Sequence, residues 1–239
     1  HIVLREVGGS GQKRLKAARV LVVGAGGLGS PALLYLAAAG VGTIGIIDDD
    51  HVSNSNLQRQ IIHSDARIGM AKVASATVAI KALNPFVTVE AFDERLDAAR
   101  AGALFAGFDL ILDGSDNLDT RYLVNRAAVA AGKPLIAAAI SQWEGQISLY
   151  HPAAGGPCFA CLFADRPAQG LAPSCAEAGV IAPLPGVLGA MMALEAVKHL
   201  TGAGQTLRGR LMIYDGLYAD VRVIGAARRA DCPVCGTGG

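Results

Sequence analysis

Residues 19–47 constrain the fold more than any other stretch of this chain. Arg19-Val-Leu-Val-Val23 is a short, β-branched apolar run of the kind buried on both faces of a parallel sheet. The loop Gly24-Ala-Gly-Gly-Leu-Gly29 follows it. Ser30-Pro31 then opens an apolar run to Ala39, and Gly40 closes it. Ser30 suits a helix N-cap, Pro31 the first helical position and Gly40 the left-handed position after the last turn. Thr43–Ile47 reads as a second strand and ends in Asp48-Asp49-Asp50. Strand, glycine loop, helix and strand make a βαβ unit, which requires parallel pairing.

The alternation continues. Helical composition over Ala71–Leu83 stops before Asn84-Pro85, and Val87–Phe92 reads as a strand. Asp97–Phe105 and Asp119–Ala131 read as helices, Phe108–Leu112 and Pro134–Ile140 as strands. The class is α/β with a mainly parallel, Rossmann-like sheet covered by helices on both faces. Gln146–Tyr150 predicts an antiparallel extension of that sheet. The stretch from Pro152 to Pro185, rich in Pro, Gly and Ala, is too long for a simple connection. Val187–Leu200 predicts a helix, and Arg210–Asp215 and Asp220–Ile224 two late strands. The expectation is one domain over residues 1–239: a nucleotide-binding core at 1–150, a metal and crossover segment at 151–185, and a tail at 186–239.

Composition narrows the function. With 21 basic against 20 acidic residues, nothing pulls the chain globally toward nucleic acid or anionic lipid. No apolar run approaches the ~20 residues of a membrane helix. The opening residues carry no secretory leader pattern, and five cysteines in a chain this large fit metal and thiol chemistry better than a disulfide framework. A cytoplasmic protein is expected.

Four of those cysteines form two tight pairs, Cys158-Phe-Ala-Cys161 and Cys232-Pro-Val-Cys235. Two such pairs supply the four thiolates of a tetrahedral zinc site, with two disulfides or free thiols as the alternatives. Lengthening the closed loop from ~17 to ~70 residues adds roughly 1.2 kcal/mol of closure entropy. Structural zinc binding, at about 10–16 kcal/mol in small peptides, outweighs it.

The glycine loop sits where a dinucleotide or nucleotide loop belongs, although glycines also serve tight packing alone. Asp48, at the end of the second strand, is placed for ribose hydroxyls. That pattern alone fits an NAD-dependent oxidoreductase. The segment Asp48–Gln60 argues for a triphosphate instead, because hydride transfer needs no row of amides and an arginine beyond the ribose position. Asn56, Arg59 and Lys72 are candidate phosphate ligands that would neutralise charge on departing pyrophosphate. Asp116, in Asp113-Gly-Ser-Asp116-Asn117, is a candidate magnesium ligand; the alternative is that Asp113 and Asp116 cap the next helix. His51 and His63 read as surface loop histidines.

Gly24-x-Gly-Gly-Leu-Gly29, Asp48-x-Asp-x-Val-x-x-Ser-Asn-Leu-Gln-Arg-Gln60, Lys72, Asp116-Asn117 and both CxxC pairs resemble the MoeB/ThiF/HesA family, relatives of the ubiquitin-activating enzymes. The resemblance spans essentially the whole chain. It implies adenylation by Mg-ATP of the C-terminal glycine carboxylate of a small ubiquitin-fold sulfur carrier ending in Gly-Gly. Molybdopterin synthesis, with a MoaD-like carrier, is favoured over thiazole synthesis with a ThiS-like one. It implies adenosine contacts at Gly27 and Asp48, and phosphate contacts over Ser55, Asn56, Leu57, Gln58 and Arg59 with Lys72. It further implies magnesium at Asp116 beside Asn117, zinc at Cys158, Cys161, Cys232 and Cys235, a homodimer, and a sulfurtransferase as a further partner. Cys175 matches a loop cysteine that in some relatives links covalently to the carrier; an unreactive thiol is the alternative. Relatives also place an arginine just before the segment matching His1–Leu4, for which Arg5 and Arg14 are possible substitutes or plain surface residues. A non-catalytic scaffold for a ubiquitin-fold protein is the competing class, and retention of Arg59, Lys72 and Asp116 argues against it.

Overall fold

The computed structural model describes residues 1–164 and 179–236. Its strands are β1 (Arg19–Val23), β2 (Thr43–Ile47), β3 (Thr88–Phe92), β4 (Leu110–Asp113), β5 (Leu135–Ser141), β6 (Glu144–Tyr150), β7 (Arg210–Asp215) and β8 (Asp220–Gly225). Its helices are α1 (Gly8–Ala17), α2 (Gly29–Ala39), α3 (Lys72–Leu83), α4 (Ala98–Ala106), α5 (Leu118–Ala130), the single turn α6 (Phe159–Leu162) and α7 (Pro183–Thr201). The strands join in one sheet of order β3-β2-β1-β4-β5-β6-β7-β8. β3 through β5 in that order are parallel, and β6, β7 and β8 continue antiparallel.

β1 shows why the sheet is buried on both sides. Val20 and Val22 face a core built with Leu33, Leu36, Ile44, Ile46 and Met192, under α2, α3 and α7. Leu21 and Val23 face the opposite core with Phe105, Phe108 and Tyr122, under α4 and α5. Each fully buried aliphatic side chain contributes about 1.5–3 kcal/mol, so the alternating central strands carry much of the hydrophobic term. α7 crosses α2 closely because Gly189 has no side chain. A Cβ there would lie 2.3 Å from the Leu28 carbonyl oxygen.

Two local expectations change. Helix α2 begins at Gly29, with Leu28 before it, so Ser30 is inside the first turn rather than at the N-cap. Its hydroxyl is buried and has no hydrogen-bond partner among the described residues. The reason is the loop geometry: Gly24 turns at φ +90°, and the chain enters the helix directly from the glycines. Gly40, at φ +83°, ends the helix as expected. Helix α1 is an addition that sequence reading did not assign. Val7, Gly11 and Leu15 form its buried stripe, at helical spacing but hidden by glycine and serine between them. Arg14 donates to the Thr201 carbonyl, tying α1 to the end of α7, while Arg5 is exposed beside Glu6.

α7 starts four residues earlier than the expected Val187, because Pro183 and Pro185 occupy its first turn, where no intrahelical N–H is needed. Among the described residues, no helix is long and apolar enough to cross a membrane.

Glycine placement gives a sharp test. A Cβ at Gly29 would lie 1.9 Å from the Gly24 carbonyl oxygen, whereas one at Gly102, in α4, meets nothing within 4 Å. Gly29→Ala should therefore destabilise by about 3 kcal/mol or prevent folding. Gly102→Ala should stabilise by about 0.5–1 kcal/mol. Urea denaturation midpoints of the two variants measure both effects.

Candidate functional site

The chain runs from β1 outward to β2 and β3, then returns to β4 on the other side of β1. That reversal opens a crevice at the carboxyl ends of the strands, the usual ligand position in such sheets. A cleft of about 270 Å³ lies there, lined by the loops after β1, β2, β3 and β4, with Arg59, Gln60, Lys72, Ile140 and Val180.

The glycine loop is held from below. Asp48 Oδ2 accepts the Ala25 N–H at 2.7 Å, and its Oδ1 accepts the Asp50 N–H at 2.9 Å. One carboxylate thus joins the loop after β1 to the loop after β2. Burial pushes the Asp48 carboxyl above the usual carboxylate range, against the pull of those two N–H donors and of Lys72. Gly114, after β4, closes the crossing, its N–H donating to the Val23 carbonyl at 2.9 Å.

Lys72 opens α3 and is almost wholly buried, with Nζ 2.7 Å from Asp50 Oδ2. Asp50 is exposed, so the ammonium faces a solvated carboxylate at the cleft. Arg59 follows the short 3-10 turn Asn54–Asn56, where the Asn56 carbonyl accepts the N–H groups of both Arg59 and Gln60. Gly27, Asp48, Arg59, Lys72, Asp116 and Asn117 all line the cleft. Ser55, Asn56, Leu57 and Gln58 do not line it. They form the turn that delivers Arg59, and the Ser53 and Ser55 hydroxyls bond each other at 3.0 Å.

The loop after β4 separates two roles that sequence left open. Asn117, not Asp116, caps α5: its Oδ1 accepts the Thr120 N–H at 2.8 Å. Asp113 is fully buried, accepts the Ser115 N–H at 2.9 Å, and burial raises its carboxyl above the usual range despite the nearby Arg121 charge. Asp116 is left exposed at the cleft wall. The carboxylates that lie together are Asp48, Asp49 and Asp50, each offering an oxygen within 4.8 Å of the others; Asp116 is not one of that group.

Several cleft residues escaped the sequence reading. Arg121, in α5, is buried and donates to the Ser115 carbonyl at 2.6 Å and the Ala138 carbonyl at 2.7 Å, pinning the β4 loop to β5. Glu94, Arg95 and Leu96 follow β3. The rule that strand carboxyl ends face the ligand was the available signal for those three. His63 corrects an expectation: it is buried rather than a surface residue, bonding Ser75 Oγ at 2.8 Å and the Ala25 carbonyl at 2.9 Å. His51 is exposed as expected. Cys175 lies outside the described residues.

The four cysteine sulfurs form a second, separate cluster. Cys158 and Cys161 stand 3.8 Å apart, Cys158 and Cys232 3.6 Å, Cys161 and Cys235 3.4 Å. All four are buried, unpaired as disulfides, and within 4.8 Å of one another. A tetrahedron with metal–sulfur bonds of about 2.3 Å has edges of about 3.8 Å, so the thiols fit such an ion. Asn125 Nδ2 reaches Cys158 Sγ at 3.8 Å while its Oδ1 accepts the Phe159 N–H at 2.9 Å. The Arg229 N–H points at Cys161 Sγ at 3.5 Å. N–H groups aimed at sulfur favour the thiolate.

The cap geometry is testable by itself. Asn117→Ala should cost about 1 kcal/mol of stability by removing the cap. Asp116→Ala should leave stability within about 0.5 kcal/mol, as for an exposed residue without such a bond. Chemical denaturation of the two variants compares them directly.

Residues 1–234 match the ThiF family. The chain is 48% identical over 239 residues to the sulfur carrier protein adenylyltransferase of Thermus thermophilus, covering 98% of this chain and 88% of that one. It is 46% identical to the SAMP-activating enzyme E1 of Haloferax volcanii, covering 100% and 88%. It is 47% identical to the adenylyltransferase and sulfurtransferase MOCS3 of Bos taurus, where it covers 98% of itself but only 52% of the relative. In fold it is similar to E. coli MccB solved with MccA-N7isoASN, at TM-score 0.86 and 23% identity, covering 95% of this chain and 70% of MccB. The chain belongs to the ThiF family.

Proposed function

We propose that this protein adenylates the C-terminal glycine carboxylate of a small ubiquitin-fold sulfur carrier, using ATP. One observation carries the reading: the glycine loop, Arg59, Lys72 and the exposed carboxylate of Asp116 meet in one cleft at the strand reversal. The 48% identity to a protein named sulfur carrier protein adenylyltransferase supports it. A carrier carboxylate oxygen attacks the α-phosphorus, the bond from that phosphorus to the bridging β-phosphate oxygen breaks, and pyrophosphate leaves with its electron pair. The attacking group is already ionised, so no general base is required. What the chain must supply is alignment and positive charge. In this reading Arg59 and Lys72 hold the phosphates, the backbone at Gly27 meets adenosine, and Asp48 reaches the ribose while it braces the loop. Asp116, freed from capping by Asn117, would hold magnesium, with Asn117 beside the nucleotide. Bound magnesium neutralises phosphate charge. Ser55, Asn56, Leu57 and Gln58 act through the turn that presents Arg59. Cys175 remains a candidate for a covalent step with the activated carrier.

The surface supports a protein partner. β8 is the edge of the sheet, and Val221, Val223 and Ile224 on it are about half exposed, at 51%, 48% and 49%. An exposed apolar edge strand is ordinarily covered. Because Glu144 pairs with Asp215, the turn after β7, with Leu217 and Tyr218 exposed, lies at the cleft end of the sheet beside Trp143. A carrier seated on this hairpin would have its tail directed to the reaction centre. We read the pathway as molybdopterin synthesis, the setting as cytoplasmic and the protein as a homodimer, with a sulfurtransferase downstream. The exposed Tyr35 and Leu194 give apolar surface for self-association. The relative MOCS3 bears both activities in its name.

Carrier-dependent exchange of radiolabelled pyrophosphate into ATP tests the activity, with MoaD-like and ThiS-like carriers in parallel. Exchange is expected with the former, and at least about 100-fold loss in Lys72→Ala and Asp116→Ala. Tyr218→Ala should raise KM for the carrier roughly tenfold and leave KM for ATP unchanged. Absence of exchange with every carrier refutes the reading.

The cysteine cluster we assign to zinc, a structural clasp outside the reaction centre, since its thiols lie apart from the cleft lining. Metal analysis of purified protein should give one zinc per chain, lost in Cys235→Ala. Stability should fall on removing it with a chelator by several kcal/mol. Zinc-free protein of unchanged stability would refute the assignment.

A further inference from the structure

His63 is the buried member of the chain's five histidines, and no step of the proposed reaction uses it as an acid or base. Its hydrogen bonds fix its tautomer. The Ala25 carbonyl oxygen, 2.9 Å from Nε2, can only accept, so Nε2 carries the proton. Nδ1 is then the acceptor of a neutral imidazole, and the Ser75 hydroxyl donates to it at 2.8 Å. Burial first, and then the positive charges of Lys72 and Arg67, hold the imidazole below its ordinary pKa, consistent with the neutral form; Asp48 and the Ala25 bond act the other way. Ser75 is itself fixed in α3, where its carbonyl accepts from Arg67 Nη1 at 2.6 Å.

The consequence lies in the next peptide. The Ala25–Gly26 peptide is planar and trans, so its C=O and N–H point in opposite directions. A carbonyl drawn inward to His63 leaves the Gly26 N–H directed outward, and Gly26 lines the cleft. That N–H has no hydrogen-bond partner among the described residues. On the other side of Ala25, its own N–H is held by Asp48 at 2.7 Å. The two peptides flanking Ala25 are therefore each oriented by one buried or half-buried side chain.

We propose that His63 is a positioning residue for the nucleotide: by holding the Ala25 carbonyl it aims the Gly26 N–H at an anionic phosphate oxygen. This rests on the ATP reading above. A backbone donor oriented in advance avoids reorganisation when the anion arrives, as at other glycine loops that precede a helix.

Two substitutions separate this role from simple packing. The terminal amide of His63→Gln reaches as far as Nε2 and keeps a donor for Ala25. That of His63→Asn reaches only the Nδ1 position and loses it. In carrier-dependent pyrophosphate exchange, His63→Asn should raise KM for ATP roughly tenfold while KM for the carrier stays unchanged. His63→Gln should stay within about threefold of wild type. A packing role would move the thermal midpoints of both variants and neither KM. In wild-type protein, the Gly26 amide resonance should shift on adding a non-hydrolysable ATP analogue, a readout that stands even if His63→Asn does not fold. Normal KM for ATP in His63→Asn, equal impairment of both variants, or an unmoved Gly26 amide overturns the role while exchange by the wild type keeps the adenylation reading intact. A wild type without any exchange overturns both.

Discussion

The closeness with which the glycine loop folds back on itself governs the rest of the structure. Gly29 lies so near the Gly24 carbonyl that no side chain fits between them. This contact lets α2 start immediately above β1 and brings the loop after β4 against the same point through Gly114. With the three segments this close, a single carboxylate, Asp48, spans the loops after β1 and β2. A looser crossing would leave the same residues in the chain but scatter them across the sheet edge.

Much of the cleft is electrostatic construction around that crossing. Lys72 and Arg121 are buried cations, and among the described residues neither is in direct contact with a buried carboxylate. Lys72 meets the exposed Asp50, and Arg121 spends donors on two carbonyls with Asp113 nearby. Holding cations out of bulk water is costly unless something compensates them. A polyanionic ligand in the cleft would supply that compensation and stabilise the fold by mass action.

The sheet was largely legible because its strands announce themselves locally. β1, β2 and β5 are apolar runs with turn residues at their ends, and the helix read from Asp97 begins at Ala98 with Asp97 as its cap. The candidate cleft was legible where its residues belong to motifs: Gly27, Asp48, Arg59, Lys72 and Asp116 all line it. What sequence could not give was set by tertiary contact. His63 sits in a short connection with no periodic signal, and its partner is a carbonyl 38 residues upstream. Arg121 looks like any charge on a helix until β5 is placed beside it. Ser30 has every local feature of a cap, but the loop geometry one residue earlier takes the helix start away from it. The row Ser55–Gln58 reads as a set of phosphate contacts; in the fold it forms the turn that carries Arg59 to the cleft lining.

The thiol cluster has a consequence for the order in which the molecule is made. Cys158 and Cys161 belong to a turn next to α5, while Cys232 and Cys235 lie beyond β8. During synthesis the whole parallel sheet, and the cleft it frames, emerges before the second pair exists. The first pair of thiols is therefore made without its partners while the antiparallel strands are added. The cluster can close only after residue 235 has left the ribosome. Until then the two thiols beside Asn125 lack the second pair, for at least the time needed to synthesise the 74 residues that separate Cys161 from Cys235.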